Sequence, residues 1–232
     1  IVFGGHGTKN RLGDTWVYTI SANRWEEITP EISPSARSDM GMEFDTANNR
    51  VILFSGYFLE ESGYRKNDTW IYDPETKEWT EVSPHISPPI MYGPSLSYDF
   101  SGRQSLLTGG HILIYRNGQY VSGGYNTAVW SYRYSENTWQ EAESDNAGSD
   151  NNAERTPPAR YWQSTALNST DGKLLFFGGS GGSGFLGDTW IDDVSSINWE
   201  KLYTGQIPAH SPRVNGAIAY DPHEDVFVLF GG

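Results

Sequence analysis

Four times along this chain of 232 residues the same phrase returns, two tryptophans nine positions apart in a similar setting. The segments are GDTWVYTISANRWEEITP (13–30), NDTWIYDPETKEWTEVSP (67–84), TAVWSYRYSENTWQEAES (127–144) and GDTWIDDVSSINWEKLYT (187–204). Their leading tryptophans, Trp16, Trp70, Trp130 and Trp190, lie 54, 60 and 60 residues apart. A period of this size means an array of like units, each of which needs its neighbours to bury its apolar faces.

Two further landmarks share the period. An apolar run closes on a glycine pair in IVFGG (1–5), SLLTGG (105–110), LLFFGG (174–179) and VFVLFGG (226–232), with VILFSG (51–56) as a variant. A proline-flanked arginine recurs at Arg37, Arg160 and Arg213, and Met91 takes the same slot. From each slot to the last glycine of the next pair is 19 residues in all four instances. Each unit reads as four short strands: a run after the slot, the apolar run into the glycines, the DTWVY-like strand and the WEEI-like strand. Asp73-Pro74-Glu75 suits a type I turn, because proline pre-sets φ for its second position. No stretch reads as a helix of three turns. The pattern predicts an all-β chain, a β-propeller of four-stranded antiparallel blades with four to five blades represented.

On this reading residues 1–232 are one propeller segment. A partial blade occupies 1–30, blades follow at about 31–84, 85–144 and 155–204, and a partial blade occupies 211–232. Counting strands from Ile1 gives two, three and four of one blade, three whole blades, then strands one and two of another. A closed four-blade ring would carry a surplus strand, and an open arc would expose two edges. The expectation is a segment of a larger propeller of six or seven blades, with a five-blade arrangement as the alternative. The tryptophans are expected to fill the gaps between blades. Each ring buries about 150–250 Å², or roughly 4–6 kcal/mol gross at ~25 cal/mol per Å².

Composition narrows the function. A net charge of -13 with scattered lysines and arginines argues against nucleic acid, since phosphate binding rests on basic clusters. No apolar stretch approaches the ~20 residues that span a bilayer, and no targeting segment is visible. With no cysteine there are no disulfides, thiolate metal sites or thiol nucleophiles. Asn67 (NDT) and Asn168 (NST) match glycosylation acceptors, relevant only to a secreted protein.

The diglycine after an apolar strand, the aromatic in the third strand and the tryptophan in the fourth together resemble the kelch repeat, over the whole chain. Departures are local. Ser55-Gly56 replaces Gly-Gly, Ala128-Val129 replaces Asp-Thr, Met91 replaces arginine, and Asp192 stands where Tyr18, Tyr72 and Tyr132 predict tyrosine.

In such blades the loops joining strands two and three, and strand four to the next blade, share one face. Both long insertions fall there: HILIYRNGQYVSGGYN (111–126) and SDNAGSDNNAE (144–154). Long loops on a rigid scaffold collect function. The resemblance implies that the residue after each diglycine and the one two beyond each slot line the channel mouth. Those are His6, Tyr57, His111 and Ser180, then Asp39, Gly93, Trp162 and Asn215, with Tyr92 beside Gly93. Trp162 stands out because the repeat explains the other eight tryptophans. Its strand carries small residues at the corresponding face (Gly41, Ser95, Ser164, Ala217), so packing does not ask for an indole. It reads as a stacking platform for a peptide or sugar, or as a plug of the mouth. Arg37, Arg160 and Arg213 read as structural donors to carbonyls.

Catalytic readings are weaker. Kelch-type copper radical oxidases need a tyrosine–cysteine cross-link, which a cysteine-free segment lacks. The iron motif of the plant specifier proteins reaches only Glu141, Asp145 and Ser149, without its histidine. The loop DNAGSDNNAE offers oxygen ligands suited to calcium but reads as a solvated acidic loop. No cofactor and no metal is therefore expected. The expected function is a non-catalytic propeller that holds a protein or peptide partner on its channel-mouth face. The alternative is a carbohydrate-binding or carbohydrate-modifying propeller, mutarotase-like or part of a larger enzyme.

Overall fold

The computed structural model describes residues 1–58, 66–142, 156–194, 198–202 and 211–232. Its main sheets are antiparallel and follow chain order, with short strands of other sheets inserted between the second and third strands of the third and fourth sheets. Blade I holds Val2–His6, Arg11–Thr19 and Arg24–Ile28. Blade II holds Gly41–Asp45, Arg50–Phe54, Thr69–Asp73 and Glu78–Val82. Blade III holds Ser95–Asp99, Gln104–Thr108, Val129–Arg133 and Thr138–Ala142. Blade IV holds Ser164–Leu167, Lys173–Phe177, Thr189–Asp193 and Asn198–Leu202, and blade V holds Ala217–Asp221 and Val226–Phe230. The expected all-β propeller architecture is the one observed.

Register repeats with the sequence. Trp16, Trp70, Trp130 and Trp190 lie opposite Val2, Leu53, Leu107 and Phe176. Tyr18, Tyr72 and Tyr132 lie opposite Trp25, Trp79 and Trp139, and Asp192 opposite Trp199. The innermost strands of blades II to V run side by side.

In blades II and III both tryptophans of a pair pack in the cluster at the boundary with the preceding blade, Trp70 with Trp79 and Trp130 with Trp139, but their indoles bond differently. The first is tied within its own blade: the indoles of Trp16, Trp70 and Trp190 donate to Asp14, Asp68 and Asp188, each at 2.7 Å. The second enters the gap to the preceding blade. Trp79 meets Phe3 edge-on at 5.2 Å and donates to Thr15 Oγ1 at 3.0 Å. Trp139 repeats this with Phe54 at 4.9 Å and Thr69 Oγ1 at 3.0 Å. Clusters of buried residues accordingly straddle the blade boundaries rather than filling one central core.

The glycine pairs stitch each blade to the next. Gly5, Gly56, Gly110 and Gly179 donate their amides to the carbonyls of Arg37, Met91, Arg160 and Arg213 at 2.8–3.1 Å. The residue before each (Gly4, Ser55, Gly109, Gly178) has φ between 52° and 65°. A Cβ on Gly4 or Gly178 would stand 2.6 Å from a slot carbonyl oxygen, which explains the glycine there. Ser55 tolerates the same φ and adds a bond from its hydroxyl to the Met91 carbonyl at 2.7 Å.

Arg213 donates to the Ser211 and Gly231 carbonyls, while Arg37 and Arg160 do more than donate to carbonyls. Arg37 donates to the Ser55 carbonyl at 2.9 Å, and also forms a bidentate pair with Asp68, both bonds 2.8 Å. Arg160 does the same with the Gly178 carbonyl and Asp188. In blade III both partners are replaced together, by Met91 and Ala128. The Asn126 amide fills in, donating to the carbonyls of Gly109 at 3.0 Å and Ala128 at 2.8 Å. The Trp130 indole is left without a partner among the described residues.

On the inner strand of blade II, Glu43 accepts a hydrogen bond from Ser105 of blade III, while its other oxygen is buried without a partner. Burial pushes its carboxyl up to about 8, against a lowering from the Ser105 bond. Between the ordinary carboxylate range and that value the folded chain holds a proton that the unfolded chain releases, so stability falls as pH rises through this window. Glu43→Gln is therefore expected to be neutral near pH 4 and stabilising above pH 8. The gain is on the order of a few kcal/mol, since each tenfold difference in proton affinity between the folded and unfolded chain is worth about 1.4 kcal/mol. Urea unfolding of both chains at pH 4, 6 and 8.5 measures it.

Candidate functional site

At the expected channel mouth a relay of backbone amides crosses four blades. Gly93 N donates to Asp39 O at 2.7 Å, Trp162 N to Gly93 O at 2.9 Å, and Asn215 N to Trp162 O at 3.0 Å. These are the positions two beyond each slot, and all four have positive φ: 56°, 68°, 58° and 55° from Asp39 to Asn215. Aspartate, glycine and asparagine suit that region. A tryptophan there is an outlier that carries local strain.

The indole is held as firmly as the backbone. Trp162 Nε1 donates to Asp39 Oδ1 at 2.9 Å, a contact between blade IV and blade II that passes over blade III. Asp39 is braced in turn by the Ser38 hydroxyl at 2.8 Å. A Cβ on Gly93 would stand 2.7 Å from Trp162 Cδ1, so the glycine between them is what lets the ring lie across. Trp162 stays partly exposed.

Around it the mouth is paved with rings. Ser38 pairs with Tyr57, Tyr92 with His111, and Tyr161 with Ser180, one short antiparallel bridge per blade. Tyr92 stacks on His111 at 5.0 Å and meets Tyr57 and Tyr161 edge-on, both at 5.6 Å. Tyr161 packs on Trp162 at 4.3 Å and lies parallel to Tyr125 at 5.8 Å. At the far edge the Arg11 guanidinium sits 4.3 Å over the Tyr57 ring. His111 shares a hydrogen bond with Ser122 at 2.8 Å, and burial lowers its pKa, so the imidazole is neutral at pH 7.

Of the residues expected at the mouth, Tyr57, Tyr92, His111, Trp162 and Asp39 come together. Asn215 joins through its backbone and is exposed. Ser180, 8% exposed, is enclosed in its bridge. His6 ends the first strand of blade I opposite Arg11, outside the ring cluster. Tyr125, Tyr161 and Arg11 belong to the cluster but were not among the expected residues. Tyr161 follows a slot arginine, as Tyr92 follows Met91, which is the signal that would have found it.

The first insertion differs from a loop. Residues His111–Arg116 and Gln119–Tyr125 form a hairpin, which extends the Met91–Tyr92 bridge into a three-stranded sheet. Its turn, Asn117-Gly118, has φ of 52° and 82°, the conformation that favours Asn-Gly in tight hairpins. The second insertion, with the calcium-type loop at 145–154 and the iron-type positions Asp145 and Ser149, lies outside the described residues. Of the two glycosylation-type asparagines, Asn168 is buried and its side chain accepts from the Thr170 amide at 2.8 Å. Asn67 donates to the Pro88 carbonyl at 2.8 Å.

Comparison with known proteins agrees with this architecture. Residues 1–110 match the KLHDC2/KLHL20/DRC7 Kelch-repeats domain. Kelch domain-containing protein 1 of Mus musculus is 26% identical over 264 residues, covering 100% of this chain and 58% of the mouse protein. Adagio-like protein 1 of Oryza sativa subsp. japonica is 26% identical over 185 residues, covering 78% of the chain and 28% of its own length. An F-box/kelch-repeat protein of Arabidopsis thaliana is 32% identical over 82 residues, 35% of the chain and 20% of that protein. The chain thus spans less than two thirds of each of these relatives. Blade register, glycine stitches and tryptophan wedges, together with these matches, support a kelch-repeat family for this chain.

Proposed function

We propose that this propeller is a protein-interaction module that grips an extended segment of a partner across its aromatic mouth. The observation that carries the reading is Trp162. It sits in a strained left-handed conformation, is fixed by Asp39, and has a glycine beneath it that makes room for the ring. Backbone strain of this kind persists where the surroundings over-determine it, and such places cluster at binding sites. Tyrosine and tryptophan supply large contact area at low entropic cost and dominate binding hot spots. The 111–125 hairpin stands beside the rings as a wall, and the kelch family is typically one of protein interaction.

Selection from a displayed random-peptide library is the test, with Trp162→Asn as counter-target. Asparagine occupies the equivalent position at Asn215 and suits the same φ, so the variant is expected to fold as stably as the parent, within about 1 kcal/mol. Peptides selected on the parent are expected to bind the variant at least about 30-fold more weakly, the loss of a hot-spot residue. Equal binding by both would overturn the reading. A glycan array probed in parallel checks the carbohydrate alternative, and saturable binding there with none to peptides would replace the protein partner by a sugar.

A further inference from the structure

The gap between blades III and IV is built differently from the two before it. By register, blade III turns Thr108, Ser131 and Ala142 toward blade IV where blade II turns Phe54, Ile71 and Val82 toward blade III. Across the gap Asp192 takes the place of Tyr132. All four changes shrink the side chain. A fifth, Val129 for Thr69, removes the hydroxyl that would receive Trp199, and that ring meets Phe176 of its own blade edge-on at 5.3 Å.

The space left is a cleft of about 170 Å³, walled on its apolar side by Leu106, Val129 and Leu174 and on its polar side by Gln104, Ser131 and Gln140. Asp192 lines it, only 3% exposed, and its Oδ1 has no hydrogen-bond partner among the described residues. Arg133, also lining the cleft, lies 3.7 Å from Glu136 at the exposed surface. The carboxylate takes one hydrogen bond from the Asn198 backbone but has no ion pair among the described residues, and a buried charge compensated so thinly is costly to keep. Its burial lifts the carboxyl to about 6, so it is still mostly ionised at pH 7.4.

We propose that this inter-blade cleft is a binding site for a small primary amine with an apolar body, its ammonium on Asp192 and its hydrocarbon against Leu106, Val129 and Leu174. An apolar cavity of about 150 Å³ accepts a benzene ring, which sets the size at roughly that of a benzyl- or pentylammonium ion. The cleft is separate from the aromatic mouth, and either site stands without the other.

The test titrates the full chain with benzylammonium and pentylammonium, and with benzyl alcohol and pentanol as neutral counterparts, followed by NMR of valine and leucine methyl groups. The amines are expected to bind at least tenfold tighter than the alcohols, with shifts at Val129, Leu106 and Leu174. Asp192→Asn should abolish that preference, and Asp192→Tyr, the residue at this position in blades I to III, should abolish binding. The comparison of amines with alcohols on the unmodified chain needs no variant to fold. Absence of saturable binding, equal affinity for amines and alcohols, or shifts confined to the mouth would each overturn the proposal, leaving a cleft filled by water.

Discussion

Arg37→Met is expected to lower the unfolding free energy by about 3–5 kcal/mol, because it leaves Asp68 as a buried charge without its partner. Arg37 is 0% exposed and its guanidinium is spent on Asp68 and on the carbonyl that ends the second strand of its blade. In a chain of this size the loss corresponds to a fall in Tm of roughly 6–20 °C. The double variant Arg37→Met with Asp68→Ala is expected to be more stable than Arg37→Met alone. Blade III already lives with that combination, as Met91 and Ala128, with the Asn126 amide on the freed carbonyl. Chemical unfolding of the parent, both single variants and the double variant closes the cycle. Strictly additive losses would mean that the pair is not coupled, and that Met91 and Ala128 differ from the repeat independently.

The second large effect concerns the tryptophan wedges. Trp139→Ala is expected to cost about 3–5 kcal/mol, the range for emptying a large ring from a packed interior. The ring is 1% exposed, tilted against Phe54 and Tyr132, and bonded to Thr69 across the gap. Trp25, at the same place in blade I, is 51% exposed, so Trp25→Ala should cost less than about 1 kcal/mol. The two variants are the same chemical change at the same repeat position, and only the neighbouring blade differs. Equal losses measured by urea unfolding would show that the rings stabilise their own blades and not the gaps.

Much of the fold is legible in the sequence because the residues that build it recur with their spacing. The interval of 19 residues from slot to glycine is the length of two strands and their turn, and the nine-residue tryptophan spacing is a hairpin read from one strand to the next. The carboxylate partners of Arg37 and Arg160 are harder to see. Asp68 lies 31 residues from Arg37, and only the joint loss of arginine and aspartate in blade III ties the two positions together. The 111–126 insertion reads as a loop by its length, although Asn117-Gly118 between alternating apolar residues is a strong hairpin signal. There turn chemistry is the better guide than length. The mouth is half legible: repeat position leads to Tyr57, His111 and Trp162, but Tyr125 and Arg11 reach the cluster through the hairpin and a neighbouring blade. The bond from Trp162 to Asp39 spans 123 residues, and no local pattern encodes it. The cleft beside Asp192 shows in the sequence only as one odd residue, and register is what brings four small side chains together there.

Amide hydrogen exchange on the chain bound to a selected peptide tests the central claim most directly, that recognition occurs at the aromatic mouth. Slowed exchange is predicted at the amides around Tyr57, Tyr92, His111 and Trp162 and along the 111–125 hairpin, with the turns at 46–49 and 100–103 unchanged. Protection confined to those turns, with the mouth amides exchanging as in the free chain, would contradict it.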